Sequence, residues 1–254
     1  MRPFHRPSPS VAAGSASHRT ARAAIPRLAS SVRFAVLLAA ALPVAGCGGD
    51  GGAEAGSGEG DRPDFYYPGR LTETAPDTFR ARFETSAGDF VVQVHRDWSP
   101  RGADRFYNLV RSGWYDDQRI YRVVPGFMSQ WGLHGDPVAT YQWRNAFIDD
   151  DPVVVSNTRG RVTFATCDVD CRIQEIFVNT DDNPGLDAQG FSPFGEVVEG
   201  MEAVDAFYGG YGDGPPRGEG PYQAQVRAEG NAYLDAEFPE LTRIERAVIE
   251  GTDG

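Results

Sequence analysis

Lysine is absent from the sequence: all 24 basic residues of the 254-residue chain are arginine, which we interpret as a composition bias of the genome. Acidic residues outnumber them by 36 to 24, so the formal net charge is −12. This balance argues against nucleic acid as a partner, because phosphate binding needs clustered cations. Histidine is also scarce: beyond residue 46 there are His95 and His134, which lack ligand spacing, so the sequence predicts no metal site and no other cofactor.

The apolar stretch at residues 34–44 is too short to span a bilayer. It follows a segment with six arginines and no acidic residue, and this order is typical of a secretory signal. It ends at Val44-Ala45-Gly46-Cys47, which resembles the bacterial lipobox, whose cysteine is lipidated. The sequence thus predicts a lipoprotein signal peptide over residues 1–46 and a lipid anchor at Cys47. An ordinary signal peptide followed by a chance cysteine is the alternative.

Residues 48–60 are rich in Gly, Ala, Glu and Ser and predict a flexible tether. We assign residues 47–76 to the lipidated N-terminus and tether, and residues 77–250 to one folded domain. The predicted location is the bacterial cell envelope, on the periplasmic or another extracytoplasmic face. If the cell has two membranes, the outer membrane is expected.

Cysteine is limited to three residues, and Cys167 and Cys171 remain once Cys47 is assigned to lipid. Export would place them in an oxidising compartment, where a disulfide over this short separation is geometrically feasible. Two free thiols are the second interpretation. A metal site is the third, and it is weakened by the scarcity of histidine.

Alternating apolar and polar residues over 79–84 and 90–94, with Gly88-Asp89 between them, predict a β-hairpin. A helix is predicted from Ser99-Pro100 to Gly113, and a second over residues 201–208. Short apolar strands are predicted at residues 120–124, 127–130, 161–165, 175–179, 194–198 and 241–249. Many short strands with two helices predict a closed β-barrel capped by helices.

Residues 120–132 read Ile-Tyr-Arg-Val-Val-Pro-Gly-Phe-Met-Ser-Gln-Trp-Gly. Around a Pro-Gly turn they place a guanidinium, two large apolar side chains and an amide. This combination suits the binding of an apolar peptide segment with hydrogen-bond donors directed at its amide. The run resembles the central active-site segment of the cyclophilins, a family of peptidyl-prolyl isomerases, whose motif reads roughly F-H-R-V-I-P-G-F-M-x-Q-G-G.

Further segments resemble cyclophilin blocks and occur in the family's order. They are residues 83–91, 99–109, 113–117, 160–166, 175–178, 186–187 and 194–201. The resemblance extends over about residues 79–249. It implies the family's fold, a mainly β, closed eight-stranded barrel capped by two helices.

The resemblance also implies the roles of individual residues. Arg122 would be the catalytic residue, polarising the prolyl amide, and Gln130 would bond the substrate backbone. The proline pocket would be lined by Phe127, Met128, Phe177 and Leu186. The strand at Ala165-Thr166 would lie beside the bound peptide, and Glu175 would join the substrate-binding residues.

Departures from the family pattern occur close to these residues. Glu175 stands where the family has an active-site Gln, so we expect a carboxylate near Arg122 that either orients the guanidinium or occupies its donors. Tyr121 replaces a His on what we expect to be the opposite strand face, with little effect. Gly185 replaces a Trp that contributes to cyclosporin binding in many eukaryotic members. The family's His after Leu-Asp is missing, and Phe191 is a candidate to fill its place.

The sequence therefore predicts a prolyl isomerase that assists the folding of exported proteins. Its expected partners are proline-containing segments of unfolded or extended envelope proteins, and the membrane through the N-terminal lipid. The alternative is a cyclophilin-fold peptide-binding or chaperone module with weak catalysis. Arg122, Phe127, Met128 and Gln130 favour the enzyme, whereas Glu175 favours the module.

Overall fold

The predicted hairpin forms as two antiparallel strands, β1 (Thr78–Thr85) and β2 (Phe90–His95), in the computed structural model, which describes residues 62–251. Phe83 pairs with Phe90 across the two strands, and their rings stack with centroids 4.8 Å apart. Both side chains are fully buried. The alternating pattern therefore faces one side of the hairpin towards the core, as expected for strands with one buried face.

Seven further strands join the hairpin in one antiparallel sheet. They are β3 (Gln118–Arg119), β4 (Arg122–Val124), β5 (Met128–Trp131), β6 (Arg161–Phe164), β7 (Ile176–Asn179), β8 (Pro193–Glu199) and β9 (Arg243–Ile249). The strand order is β3-β9-β1-β2-β8-β6-β7-β5-β4. Two residues of chain connect the end strands β3 and β4, so the sheet curls back on itself.

The mainly β, cyclophilin-like architecture is as predicted, but the strand count is not. The sheet has nine strands instead of eight, and its hydrogen bonds within residues 62–251 do not define a closed eight-stranded barrel. The additional strand β3 is two residues long and pairs through Gln118 with Ile244 of β9. A segment this short has no alternating pattern that could reveal it.

Five α-helices occur in the described residues instead of the predicted two. They are α1 (Pro100–Arg111), α2 (Pro137–Trp143), α3 (Met201–Asp205), α4 (Gln223–Glu229) and α5 (Asn231–Glu237). The predicted helices correspond to α1 and to α3, which ends three residues early. Helix α4 lies inside a Gly/Pro-rich segment, residues 208–231, from which we expect a loop. Helices of seven residues depend on tertiary packing for stability, which explains why local sequence did not reveal them.

Helix α1 fills the concave side of the sheet with its apolar face. Ala103, Phe106 and Leu109 are fully buried. The Phe106 ring lies 4.8 Å from that of Phe194 on β8. This face is the one that the apolar spacing of residues 103–110 predicts.

A buried ion pair connects the start of α1 with the chain that leads into β7. The Asp151 carboxylate accepts hydrogen bonds from Ser99 Oγ at 2.6 Å, from the Gly102 backbone N–H at 3.0 Å and from Arg172 Nη2 at 3.0 Å. The side chains of Arg172 and Asp151 are 2% and 1% exposed. The contacts fix the position of Arg172, three residues before Glu175.

The N-terminal predictions fall mainly outside the described residues. The signal peptide, Cys47 and the tether up to residue 61 are not covered. Residues 64–70, which we assign to the tether, form two 3₁₀ turns, and Phe65 packs against the core, so the packed domain begins before residue 77. Within residues 62–251, no helix is both long and apolar enough to cross a bilayer.

Candidate active site

Strand register brings Arg122, Gln130 and Phe177 into one row. Arg122 of β4 pairs with Gln130 of β5, and Gln130 pairs with Phe177 of β7. Side chains of directly paired residues in antiparallel strands lie on the same face. Met128 joins this face because it lies two residues before Gln130. The row therefore combines a local hairpin pair, Arg122 with Gln130, with Phe177 from a strand that is distant in the chain.

The Pro125-Gly126 turn places Phe127 beside this row. Gly126 has a φ of +71°, a conformation that glycine adopts without steric cost, and the Phe127 N–H donates to Val124 O at 3.0 Å. The Phe127 carbonyl accepts from Asn183 Nδ2 at 2.8 Å. The turn is therefore attached to the chain segment that leads to Leu186.

An apolar pocket forms next to Arg122. Its members are Val124, Phe127, Met128, Ala165, Phe177, Leu186 and Phe191. The Phe191 ring contacts Phe177 edge-on, with centroids 5.7 Å apart, so Phe191 forms part of the pocket. The pocket lies within a cleft of about 630 Å³, a volume typical of ligand-binding sites.

The structure brings every predicted substrate-site residue to this one cleft. They are Arg122, Phe127, Met128, Gln130, Ala165, Thr166, Glu175, Phe177 and Leu186. Cys167 and Cys171 border the cleft and are joined as a disulfide, with their Cα atoms 5.5 Å apart. Within the described residues, no group of three or more His, Cys, Asp or Glu side chains could hold a metal ion.

A carboxylate does pair with Arg122, but it belongs to Asp213 and not to Glu175. Arg122 Nε lies 2.7 Å from Asp213 Oδ1, and Nη2 lies 3.1 Å from Oδ2. On its other side, Arg122 Nη1 donates to Gln130 Oε1 at 2.8 Å. The hydrogen bond from Arg122 lowers the pKa of Asp213, so this carboxylate is ionised at neutral pH.

Glu175 is bound by a different set of partners. Its carboxylate accepts from Tyr121 OH at 2.6 Å, from Gln130 Nε2 at 3.1 Å, and from Arg227 of α4. Arg227 compensates the charge that replaces the family's neutral amide. Our expectation that Glu175 acts directly on Arg122 is therefore wrong: Gln130 lies between them, accepting from Arg122 and donating to Glu175.

Tyr121 also departs from expectation, because it is part of this network and not on an opposite face. Its hydroxyl accepts from Gln130 Nε2 at 3.0 Å while it donates to Glu175. Burial, together with the nearby Glu175 carboxylate, raises the pKa of Tyr121 well above its ordinary value, so the hydroxyl keeps its proton. The residue leaves the regular strand geometry just before β4, which an alternating pattern cannot show.

One wall of the cleft comes from a segment that sequence reasoning left without a role. Asp213, Pro215 and Arg217 belong to residues 209–222, which we call the 209–222 loop, and Arg227 follows on α4. Asp213 is 91 residues from its partner Arg122. No local pattern marks such a residue; the six glycines in residues 209–220 are the one available signal, since they indicate close backbone approaches.

Comparisons with known proteins point to one family. The family model described as "Cyclophilin type peptidyl-prolyl cis-trans isomerase/CLD" matches residues 80–226. The chain is 30% identical over 129 residues to peptidyl-prolyl cis-trans isomerase-like 3 of Rhizopus delemar, covering 47% of this chain and 75% of that protein. It is 28% identical over 135 residues to peptidyl-prolyl cis-trans isomerase B of Escherichia coli, covering 50% and 82%.

A solved structure is similar in fold. The crystal structure of a cyclophilin type peptidyl-prolyl cis-trans isomerase from Cryptosporidium parvum superposes with a TM-score of 0.50 at 18% identity. The alignment covers 68% of this chain and 97% of that one. At this level of identity the similarity concerns the arrangement of strands and helices alone.

Proposed function

Because this chain belongs to the cyclophilin-type peptidyl-prolyl cis-trans isomerase family, we propose that its cleft isomerises X-Pro bonds, with Arg122 as the catalytic residue. One observation carries the proposal: a guanidinium held between Asp213 and Gln130 stands at the edge of an apolar pocket. The pocket fits a proline ring, and the guanidinium supplies donors beside it.

Isomerisation needs no nucleophile. The barrier of about 18–20 kcal/mol reflects amide resonance, which is lost as the C–N bond rotates. A donor directed at the prolyl nitrogen stabilises the lone pair that localises there, and fixed donors in a water-poor site are effective at this task. The side chains of the cleft supply these requirements without a cofactor.

Arg122 keeps donors for the substrate despite its ion pair. A guanidinium has five N–H groups, and three of those of Arg122 bind Asp213 and Gln130. One N–H on each of Nη1 and Nη2 is left within the described residues, apart from a weak contact of Nη1 with Met128 Sδ at 4.0 Å. These two N–H groups are the donors that we assign to an amide of the substrate.

The substrates we propose are proline-containing segments of unfolded or extended exported proteins. This part of the proposal depends on the sequence, namely the basic and apolar leader over residues 1–46 and the lipobox-like segment ending at Cys47. A lipid at Cys47 would keep the domain at the cell envelope, outside the cytoplasm. Mass spectrometry of the membrane fraction tests this, because diacylation adds a defined mass to a chain that begins at Cys47.

The proposed activity is tested with a chymotrypsin-coupled assay on an Ala-Pro-Phe peptide and the purified full chain. We expect acceleration above the uncatalysed rate in proportion to protein concentration. A folded protein that gives no acceleration would contradict the proposal. Protein inactivated by heat is the control for buffer and protease effects.

The alternative function, a peptide-binding or chaperone module with weak turnover, is favoured by one contact. Asp213 occupies two of the three nitrogen atoms of Arg122, which reduces the positive charge available to a substrate. A module of this kind would bind proline peptides without accelerating their isomerisation. NMR titration next to the coupled assay separates the two functions.

Replacing Glu175 by Gln, the residue typical of the family, is expected to change kcat/KM by less than about fivefold. The neutral amide can still accept from Tyr121, the Arg227 side chain that loses its partner is 48% exposed, and Glu175 makes no contact with Arg122. The coupled assay measures this, with Arg227→Gln as the matched variant that removes the other partner. An increase above about tenfold, roughly 1.4 kcal/mol, would show instead that the carboxylate suppresses turnover.

Cyclosporin is expected to bind weakly, because Gly185 offers no aromatic surface where many eukaryotic members of the family carry Trp. A β-carbon at Gly185 would meet nothing within 4 Å, so the site has room for a larger residue. Gly185→Trp should raise affinity about 10- to 100-fold, the effect of burying one large apolar side chain. Fluorescence titration measures both proteins; a submicromolar dissociation constant for the unmodified chain would contradict this prediction.

A further inference from the structure

We propose that Asp213 is a positioning residue for the reaction, holding the Arg122 guanidinium in the orientation that directs its free N–H groups into the cleft. The inference rests on the isomerase function proposed above. It assigns a role to a residue that none of the short cyclophilin-like blocks contains, although the residue lies within the range 80–226 that the family model matches.

The contact between the two side chains has the geometry of a fixed orientation. Both carboxylate oxygens of Asp213 bind the Nε–Nη2 edge of Arg122, at 2.7 and 3.1 Å. The side chains are 16% and 17% exposed, unlike those of most surface ion pairs. A two-point contact of this kind fixes the guanidinium plane as well as its distance.

Gln130 holds the same guanidinium from the other side, through Nη1 at 2.8 Å. Gln130 is itself fixed, because its amide N–H groups donate to Tyr121 and Glu175. Arg122 thus lies between two restrained partners, and the ends of Nη1 and Nη2 remain for substrate. Restraint of this flexible side chain before binding reduces the rotamer entropy lost when the substrate is engaged.

The 209–222 loop is built to bring Asp213 to this position. The Gly220 N–H donates to Asp213 O at 2.9 Å, and the Gly214 N–H donates to Asp213 Oδ1 at 2.8 Å. A β-carbon on Gly218 would lie closer to the backbone oxygen of Asp213 than van der Waals contact allows. Only glycine therefore fits at position 218 beside the Asp213 backbone. The carboxylate is therefore held by its own loop and is not a freely moving side chain.

Asp213 does not neutralise Arg122 completely, because it is shared. Arg217 Nε lies 3.2 Å from Asp213 Oδ2, on the loop itself. Because the Asp213 carboxylate interacts with two guanidinium groups, it offsets less of the positive charge of Arg122 than it would if Arg122 were its sole partner. This arrangement supports positioning over inhibition, since Arg122 needs both a fixed direction and a residual charge.

The test is Asp213→Asn, which keeps the shape of the side chain and removes its charge. Two-dimensional NMR exchange spectroscopy on an Ala-Pro peptide reports the bound-state isomerisation rate, and titration reports affinity. We expect kcat to fall about 10- to 100-fold, the loss typical of a reacting group misplaced by about 1 Å, with little change in the dissociation constant. Asp213→Glu should recover part of the rate, and Asp97→Asn, an exposed site away from the cleft, is the charge-matched control.

A second measurement reports the position of Arg122 without turnover. The Arg122 Nε–H resonance should exchange slowly with solvent in the unmodified protein, because Asp213 Oδ1 accepts it, and quickly in Asp213→Ala, which has no acceptor there. Gly218→Ala should have the same effect while keeping the carboxylate, since the added carbon displaces the loop.

The outcomes separate the two proposals. If the unmodified chain isomerises the peptide and Asp213→Asn retains its kcat, or exceeds it, the positioning role is overturned. If the unmodified chain shows no isomerisation, the proposed function fails. In that case, unchanged exchange of the Arg122 Nε–H in Asp213→Ala would also overturn the positioning role, whereas faster exchange would support it.

Discussion

Replacing Arg122 by alanine is expected to lower kcat by about 10²–10³-fold, the loss typical of removing one fixed donor from an active site. The apolar pocket should remain in the variant, because Met128, Phe177 and Leu186 form one buried cluster with each other. Peptide affinity should therefore fall much less than kcat. The coupled assay and a peptide titration measure the two quantities.

Two controls make this result interpretable. Arg122→Lys keeps a positive charge but loses the planar fork that binds Asp213 and Gln130 together, so it should recover little activity. Thermal unfolding of each variant shows whether the domain is still folded. A folded Arg122→Ala protein with kcat close to that of the unmodified chain would remove Arg122 from the mechanism.

Replacing Asp151 by alanine is expected to destabilise the domain by about 3 kcal/mol, the lower end of the loss for breaking a buried ion pair, because the buried Arg172 keeps only the partly exposed Asp150 as a carboxylate partner, 3.3 Å from its Nε. It also leaves Ser99 Oγ and the Gly102 N–H at the start of α1 without their acceptor. Urea unfolding of the unmodified protein and the variant measures the difference in free energy of unfolding. Asp149→Ala is the matched control: that side chain is 71% exposed and should cost no more than about 1 kcal/mol.

The pH dependence of the same pair has a definite sign. Burial alone would raise the pKa of Asp151, but hydrogen bonds from Ser99 and Gly102 and the charge of Arg172 outweigh it and hold the pKa below its ordinary value. The carboxylate therefore contributes its stability above the unfolded-state pKa of about 4, and loses it as the pH falls through the lower folded-state value. The difference between unmodified protein and Asp151→Ala should be constant from about pH 5 to 8 and shrink below about pH 4. An unchanged difference at low pH would contradict this assignment.

The sequence revealed those elements whose signals are local. The alternation of residues 79–94 predicted the β1–β2 hairpin, and the spacing of Ala103, Phe106 and Leu109 predicted the buried face of α1. The residues around the Pro125-Gly126 turn, together with their resemblance to cyclophilins, predicted the composition of the cleft. In each case the residues that define the feature are neighbours in the chain, or belong to a segment whose whole pattern is known.

Other features escaped because their causes lie far apart in the chain. The seven-residue helix α4 is stabilised by the packing of Val226 against distant residues, so the Gly/Pro-rich sequence around it did not predict a helix. The replacement of the family's His by Tyr121 was expected to have little effect, but the Tyr121 hydroxyl donates a hydrogen bond to Glu175, 54 residues away. We expected the carboxylate of Glu175 to interact with Arg122, because its ion-pair partner Arg227 could not be inferred from the sequence.

By itself, the sequence determined the family, the strand and helix that begin the domain, and the residue types that line the cleft. These properties can be predicted because they depend on local periodicity and on short motifs that occur in a fixed order. The tertiary structure alone decided which charges pair: Asp213 with Arg122, and Arg227 with Glu175. The physical reason is that an ion pair depends on a distance of a few ångströms in space, and chain separations of 91 and 52 residues carry no information about that distance.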